Sequence, residues 1–304
     1  MIEAVDLGKN FDDFTAVYYI KHNLPTRQLL AFLGPNGAGK TTTVRMLGAI
    51  LRPTTGTARI NGYDVVKDAH EVRHAIGMLT EQPGLYLRMT GLEYLTFYGR
   101  LYNMSDADIK QRSLEMFDRF AMPGDAKRRL GEYSKGMRQK VGLIRAMLHD
   151  PAVLLLDEPT SAMDPHSAKI VRDSIRALRD DKRTIILCTH NLAEAEMLAD
   201  HIAIIKKGTI VTQGSPRQLK RKLLGDALFE ARLDQPVNGR FRHLKNLITI
   251  ESLSDDILRY RTAVPETTNP QLVRCLTDQG LGLISLVEIE RSLEDVYLQV
   301  VAED

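Results

Sequence analysis

Cysteine is scarce in this chain. Cys188 and Cys275 are the only two, far apart and in no C-x-x-C spacing, which excludes a disulfide framework and a zinc site of the usual pattern. Charge of one sign is not in excess either. Lys and Arg total 41 against 39 Asp and Glu, a formal net charge of +2, so no nucleic-acid partner is expected. The basic clusters Lys127–Arg129 and Lys220–Lys222 read as solvated faces. No run of about eighteen apolar residues occurs, so no segment is expected to span a bilayer. The opening residues MIEAVDLGKN hold an early acid and no apolar core, unlike a signal peptide. What remains is a chain expected to be soluble and cytoplasmic. At 304 residues and 43% hydrophobic content, it is long and apolar enough for one sizeable core and a second small one.

What is present centres on GPNGAGKTT, Gly34 to Thr42. It reads G-x-x-x-x-G-K-T, preceded by the apolar run Gln28–Leu33 and followed by a helical pattern, Thr42 to Leu51, with Val44, Leu47 and Leu51 on one side. A strand, a glycine-rich loop and a helix in that order turn backbone N–H groups and a helix N-terminus toward a phosphate chain. Lys40 supplies charge for the β- and γ-phosphates, and the Thr41 hydroxyl can ligate Mg²⁺. A nucleoside triphosphate is the expected ligand.

The chain before the loop suggests two short strands, around Ile2–Val5 and Ala16–Tyr19. Phe11 and Phe14 fall in the turn between them, where a ring either stacks on a purine or closes a small hydrophobic staple; spacing leaves both open. Strands at Thr57–Ile60 and Ala75–Leu79 follow, the second ended by Thr80-Glu81-Gln82-Pro83. From Thr90 to Met122 the period is helical, with capping-box spacings at Thr90/Glu93 and Ser105/Asp108. Another helix begins at Ser134, and Asp150-Pro151 stops it. Val153–Leu156, uniformly apolar, reads as a strand buried on both faces and runs into Asp157-Glu158. Carboxylates at that end of an open α/β sheet lie where ligands bind. Asp157 suits a magnesium site and Glu158 a general base. A further buried strand, Thr184–Cys188, delivers His190 to the same edge, ahead of a helix capped by Asn191 and Glu194. A hairpin, His201–Gln213, closes this region. Beyond Gly214 the pattern is β-α-β-β-α-β, with helices expected at 239–244 and Pro270–Asp278, the order of a small ferredoxin-like unit. Its expected role is regulatory, dimerising or stabilising.

Taken together, GPNGAGKTT, YSKGMRQK (Tyr133–Lys140), LLLDEPTSAMDP (Leu154–Pro165) and the His190 site resemble an ABC-type ATPase domain over residues 1–215. The helical subdomain would span about 85–150, and residues 216–304 would form the accessory domain. The expected fold is α/β: a P-loop NTPase with a mixed sheet core, an antiparallel β subdomain and a helical subdomain, plus the ferredoxin-like unit. Within the superfamily the chain is most similar to ATP-binding subunits of bacterial multidrug and antibiotic exporters of the daunorubicin-resistance type. The resemblance implies ATP and Mg²⁺ as cofactors, an ATP-dependent homodimer, and a separate integral-membrane permease at the inner face of the membrane. By residue, it implies adenine stacking on Phe11 and phosphate binding by Asn36, Gly37, Ala38, Gly39, Lys40, Thr41 and Thr42. It further implies a signature loop at Ser134, Lys135 and Gly136, a D-loop ending at Asp164, metal ligation by Thr41 and Asp157, and catalytic roles for Glu158, His190 and Lys40.

Three departures stand out. Tyr133, Lys135 and Met137 replace the Leu, Gly and Gln of the common signature, and Met163 replaces the usual D-loop leucine. The position for a metal-contacting glutamine falls on Glu81, with Gln82 one place later; Glu81 is the preferred reading because Pro83 stiffens the loop beyond it. A competing class is a soluble ABC ATPase acting on ribosomes or DNA. One cassette, two isolated cysteines and no long heptads argue against it.

Overall fold

A computed structural model of the chain describes residues 2–161, 163–180, 183–236 and 247–302. It divides into two compact units, Met1–Pro216 and Arg217–Asp304.

The first unit opens with an antiparallel hairpin, β1 (Ile2–Phe11) and β2 (Phe14–Leu24). β3 (Leu29–Leu33) leads through the glycine-rich loop into α1 (Lys40–Leu47). β4 (Thr55–Ile60) and β5 (Tyr63–Asp64) return to the hairpin, giving a sheet in the order β2-β1-β4-β5. Next come α2 (Ala69–Ala75), β6 (Ile76–Leu79), and three helices, α3 (Gly91–Leu101), α4 (Asp106–Arg119) and α5 (Lys135–Met147). The chain then alternates through β7 (Val153–Asp157), α6 (Pro165–Asp180), β8 (Thr184–Thr189) and α7 (Leu192–Leu198), and ends in the hairpin β9 (His201–Lys206) and β10 (Thr209–Gly214). The central sheet has the order β10-β9-β3-β8-β7-β6, parallel except for β10. Every residue of β3, β7 and β8 is buried, as strands covered on both faces require. That order sets the carboxyl ends of β3, β7 and β8 side by side.

Several elements differ from the sequence reading. The first two strands are ten and eleven residues long, not short. Register shifts after Ala4, Leu7 and Lys9, and positive φ at Asp6 (50°) and Tyr19 (40°), break the alternation that marks a strand. α1 starts two residues earlier than Thr42 and stops at Leu47, where Gly48 caps it and Ala49 turns to φ 52°. The sequence reading passed over α2 and α6. α2 buries only Val72, whereas α6 has a legible stripe in Ala168, Val171, Ile175 and Leu178. The caps at Thr90, Ser105, Ser134 and Asn191 each accept the expected backbone N–H.

The helices α3 to α5 are tied to β6 by close packing. Arg145 of α5 donates to the Pro83 carbonyl (2.9 Å) and the Tyr94 hydroxyl (2.8 Å), with its guanidinium 5.1 Å from the Tyr98 ring centroid. A Cβ on Gly77 would lie 1.9 Å from the Ala146 carbonyl oxygen, and one on Gly142 2.7 Å from Pro83 Cβ, so α5 touches β6 and the loop after it with no room for a methyl group.

The second unit contains β11 (Ala227–Leu233), β12 (Thr249–Ser254), β13 (Ile257–Thr262), α9 (Pro265–Asp278), β14 (Leu283–Glu288) and α10 (Leu293–Ala302), preceded by α8 (Pro216–Leu224). Its sheet is antiparallel in the order β12-β13-β11-β14, the arrangement of a ferredoxin-like unit. Phe229, Leu258, Tyr260, Leu272 and Leu276 fill its core. The helix expected at 239–244 lies outside the described residues. α9 begins at Pro265 rather than Pro270, because proline at a first-turn position loses no hydrogen bond. Among the described residues no helix is long and apolar enough to cross a membrane.

His149, just past α5, carries a testable consequence. Its Nε2 donates to the Ile76 carbonyl (3.0 Å), its buried Nδ1 has no partner, and its ring stacks on Tyr102 at 3.7 Å. Burial pushes its pKa down from 6.5 to about 4, so the imidazole stays neutral in the folded chain. Between those values the unfolded chain binds the extra proton, and stability falls as the pH is lowered from about 6.5 to about 4. Denaturant titrations across that range should show a shallower slope for His149→Gln, which keeps a donor but does not titrate.

Candidate active site

The glycine-rich loop owes its shape to its backbone. Gly37 (φ 79°) and Gly39 (φ 100°) occupy left-handed conformations that side chains disfavour, and Gly39 is the residue from which α1 starts. A Cβ on Gly39 would lie 2.6 Å from the Ala16 carbonyl oxygen, so the loop is pressed against β2. Gly208, in the β9–β10 turn, donates its N–H to the Ala38 carbonyl (3.0 Å) and accepts from Tyr18 N–H (2.7 Å). Lys40, buried, donates to the carbonyls of Gly34 (2.7 Å) and Pro35 (3.0 Å), holding its ammonium over the loop.

A cavity of about 610 Å³ opens on this loop. Its walls include Phe11, Phe14 and Ala16 from the first hairpin, and Asn36, Gly37, Ala38, Gly39, Lys40, Thr41 and Thr42 from the loop. Glu81, Glu158, Ser161 and His190 complete them. Phe11 and Phe14 are 44% and 63% exposed and line the cavity, with the Lys9 ammonium 5.1 Å from the Phe11 ring centroid.

Glu158 sits at φ 50°, an uncommon conformation held from several sides. Its N–H donates to the Cys188 carbonyl (2.9 Å), and its own carbonyl accepts from Ser161 N–H (3.1 Å) and the Gln139 amide (3.2 Å). Its carboxylate, 12% exposed, lies 2.8 Å from His190 Nδ1, while the His190 ring is 58% exposed. Asp157, one residue earlier, is buried with both carboxylate oxygens unpartnered. Burial raises its pKa. The Thr41 hydroxyl offsets part of that effect without forming a hydrogen bond, and the charges of Glu158 and Glu81 add to the rise. An unpaired buried carboxylate is costly, and a hard divalent cation beside Thr41 would satisfy it.

Not every expected residue faces this cavity. Ser134 and Lys135 are exposed and Gly136 half-buried at the start of α5, where Ser134 Oγ accepts from Met137 N–H at 3.2 Å. Asp164 caps α6 by accepting from Ser167 N–H (3.0 Å). Glu81 lines the cavity and Gln82 does not; the Gln82 carbonyl accepts from the Thr80 hydroxyl (2.8 Å). The sequence reading overlooked Gln139, Thr160, Thr189 and the side chain of Glu194, which it took only as a capping neighbour of Asn191. The available signal was a hydroxyl residue beside each candidate catalytic residue: Thr160 after Glu158 and Thr189 before His190.

Comparisons with known proteins place the chain in a family. A family model described as ABC transporter matches residues 18–161. The ABC transporter ATP-binding protein NatA of Bacillus subtilis (strain 168) is 38% identical over 72% of this chain and 91% of its own length. The daunorubicin/doxorubicin resistance ATP-binding protein DrrA of Streptomyces peucetius is 40% identical over 75% of this chain and 69% of its own. A solved structure titled as the ATP-binding subunit of an ABC transporter superposes with a TM-score of 0.69 at 26% identity, covering 74% of this chain and 94% of that one. Relatives 38% and 40% identical over most of their own length lead to one conclusion: this chain belongs to the ATP-binding proteins of the ABC transporter family and is an ATPase.

Proposed function

We propose that the chain is the ATP-hydrolysing motor subunit of an exporter whose membrane permease is a separate polypeptide. The observation that carries this reading is the Glu158–His190 contact at 2.8 Å on the wall of a cavity floored by the phosphate loop. ATP would lie with its base on Phe11 and its phosphates along Asn36–Thr42. Glu158 would take a proton from water as its oxygen attacks the γ-phosphorus and the bond to the β-phosphate oxygen breaks, giving ADP and phosphate. His190 would hold Glu158 and the γ-phosphate end in register. Asp157 and Thr41 would hold Mg²⁺, which neutralises developing phosphate charge when bound.

Ser134, Lys135 and Gly136 lie off the cavity, and their placement supports a role in a second copy. The N-terminus of α5 in one subunit would cover the phosphates bound by the other, so that ATP joins the two and hydrolysis releases them. A groove of about 790 Å³ lined by Met89, Leu92, Phe97, Arg100 and Leu101 offers the permease an apolar seat on the helical region. The drug-resistance roles in the names of relatives such as DrrA support export as the direction.

Glu158→Gln should lower kcat by about 10²–10⁴ while leaving ATP binding intact and causing ATP-bound dimers to accumulate. Turnover at the wild-type rate would remove Glu158 from the role of base. Detergent extraction should bring down a polytopic partner with the tagged chain; recovery with ribosomes or DNA instead would overturn the exporter reading.

For the metal, Glu81→Ala should shift the magnesium dependence of ATPase activity and Gln82→Ala should not. The reverse result would place Gln82 at the cation.

A further inference from the structure

Glu158 stands at the end of β7 and His190 just past the end of β8, and their contact depends on how two loops are held. Each loop also carries a threonine hydroxyl. Thr160 Oγ1 donates to Glu194 Oε1 at 2.8 Å, and Thr189 Oγ1 donates to Glu194 Oε2 at 2.8 Å. The carboxylate of Glu194 thus bridges the loop after β7 to the last residue of β8. Glu194 is only 2% exposed and sits in the first turn of α7, where its N–H donates to Asn191 Oδ1 at 3.0 Å. Thr189 Oγ1 in turn accepts the Asn191 N–H at 3.0 Å, so the threonine before His190 and the asparagine after it belong to one network.

A carboxylate buried to this degree is expensive, and a helix could be packed there more cheaply by an apolar side chain. Desolvation raises the Glu194 pKa, and the two threonine hydroxyls work against that rise. Both oxygens receive a donor, one from each loop, which is the arrangement that brings two backbones to a fixed separation. Thr160 is two residues from Glu158 and Thr189 is adjacent to His190, so a change in that separation is passed directly to the pair.

We propose that Glu194 is a positioning residue for hydrolysis: it clamps the Glu158 loop to the His190 loop through Thr160 and Thr189, and acts on the chemical step without touching the nucleotide. The inference rests on the functional reading of Glu158 and His190 given above. None of the three clamp residues lines the cavity, so nucleotide affinity should be independent of them.

The test is a steady-state comparison in the full chain with magnesium and ATP, alongside binding of a fluorescent ATP analogue and thermal melting. Glu194→Ala should lower kcat by about 10²-fold, the cost of a misplacement of order 1 Å, with KM and analogue affinity unchanged. Glu194→Gln, which keeps the shape and an acceptor, should recover most of the loss. Thr160→Val and Thr189→Val should each reduce kcat, and neither should add fully to Glu194→Ala. If Glu194→Ala does not fold, the two valine variants carry the same measurement, since each removes one donor. Unchanged kcat in Glu194→Ala, or in both valine variants, overturns the proposal. So does a loss of kcat matched by equal losses of analogue affinity and melting temperature. Glu158→Gln is run in parallel: normal turnover there overturns the functional reading, whereas normal turnover of Glu194→Ala beside an inactive Glu158→Gln overturns the clamp alone.

Discussion

Two glycines from distant parts of the chain close on one carbonyl oxygen. Gly39 in the phosphate loop and Gly208 in the β9–β10 turn both lie so near the Ala16 oxygen that a Cβ would sit 2.6 Å and 2.8 Å from it. Through this point the first antiparallel sheet, the loop and the far edge of the central sheet are held together. Phe11 and Phe14 are brought to the loop by the same contact, because both rings belong to the hairpin that Ala16 continues. A side chain at either glycine would lift the aromatic wall away from the phosphate floor. The binding cavity is therefore a product of backbone approach more than of side-chain chemistry.

The charged groups are arranged as opposites awaiting a ligand. Lys40 has its ammonium satisfied by loop carbonyls, whereas Asp157 has a buried carboxylate with no partner. Burial raises the pKa of Asp157, and the charges of Glu158 and Glu81 add to that rise. A triphosphate without its cation would bring more negative charge to that side of the site. A triphosphate with its cation relieves both strains at once, since the metal answers the acids and the phosphates give Lys40 a better acceptor. Nucleotide and cation are thus expected to enter as one ligand.

The parts of this site that were legible in the sequence are those whose chemistry is local. GPNGAGKTT declares its loop through glycine spacing, two of its glycines sitting at positive φ, and the run Val153–Leu156 declares a buried strand ending in two acids. Ser134 and Asn191 announce helix starts because a cap is read within three residues. Other features depended on distance. The bulges of β1 and β2 answer to the twist of a sheet, so alternation stopped halfway along strands that continue. Glu194 looked like a capping residue, and its backbone is capped as expected, but its side chain is engaged by threonines 5 and 34 positions away. The succession of strands in the second unit was legible, while the start of α9 was not, because Pro270 is as good a helix-start signal as Pro265.

The absence of side chains at Gly77 and Gly142 restricts how the helical region can move. Sliding of α5 along β6 would drive the Ala146 carbonyl past a backbone it already touches, and would carry Pro83 off Gly142, where α5 has no side chain to meet it. Arg145 adds a second restraint by gripping both the Pro83 carbonyl and Tyr94 of α3. These contacts hinder sliding of α5 against β6 more than rotation about the line where the two meet. The loop that carries Glu81 lies on that line. Any rotation about it would act with little leverage on Glu81 and with much more on the distant ends of α3 and α4.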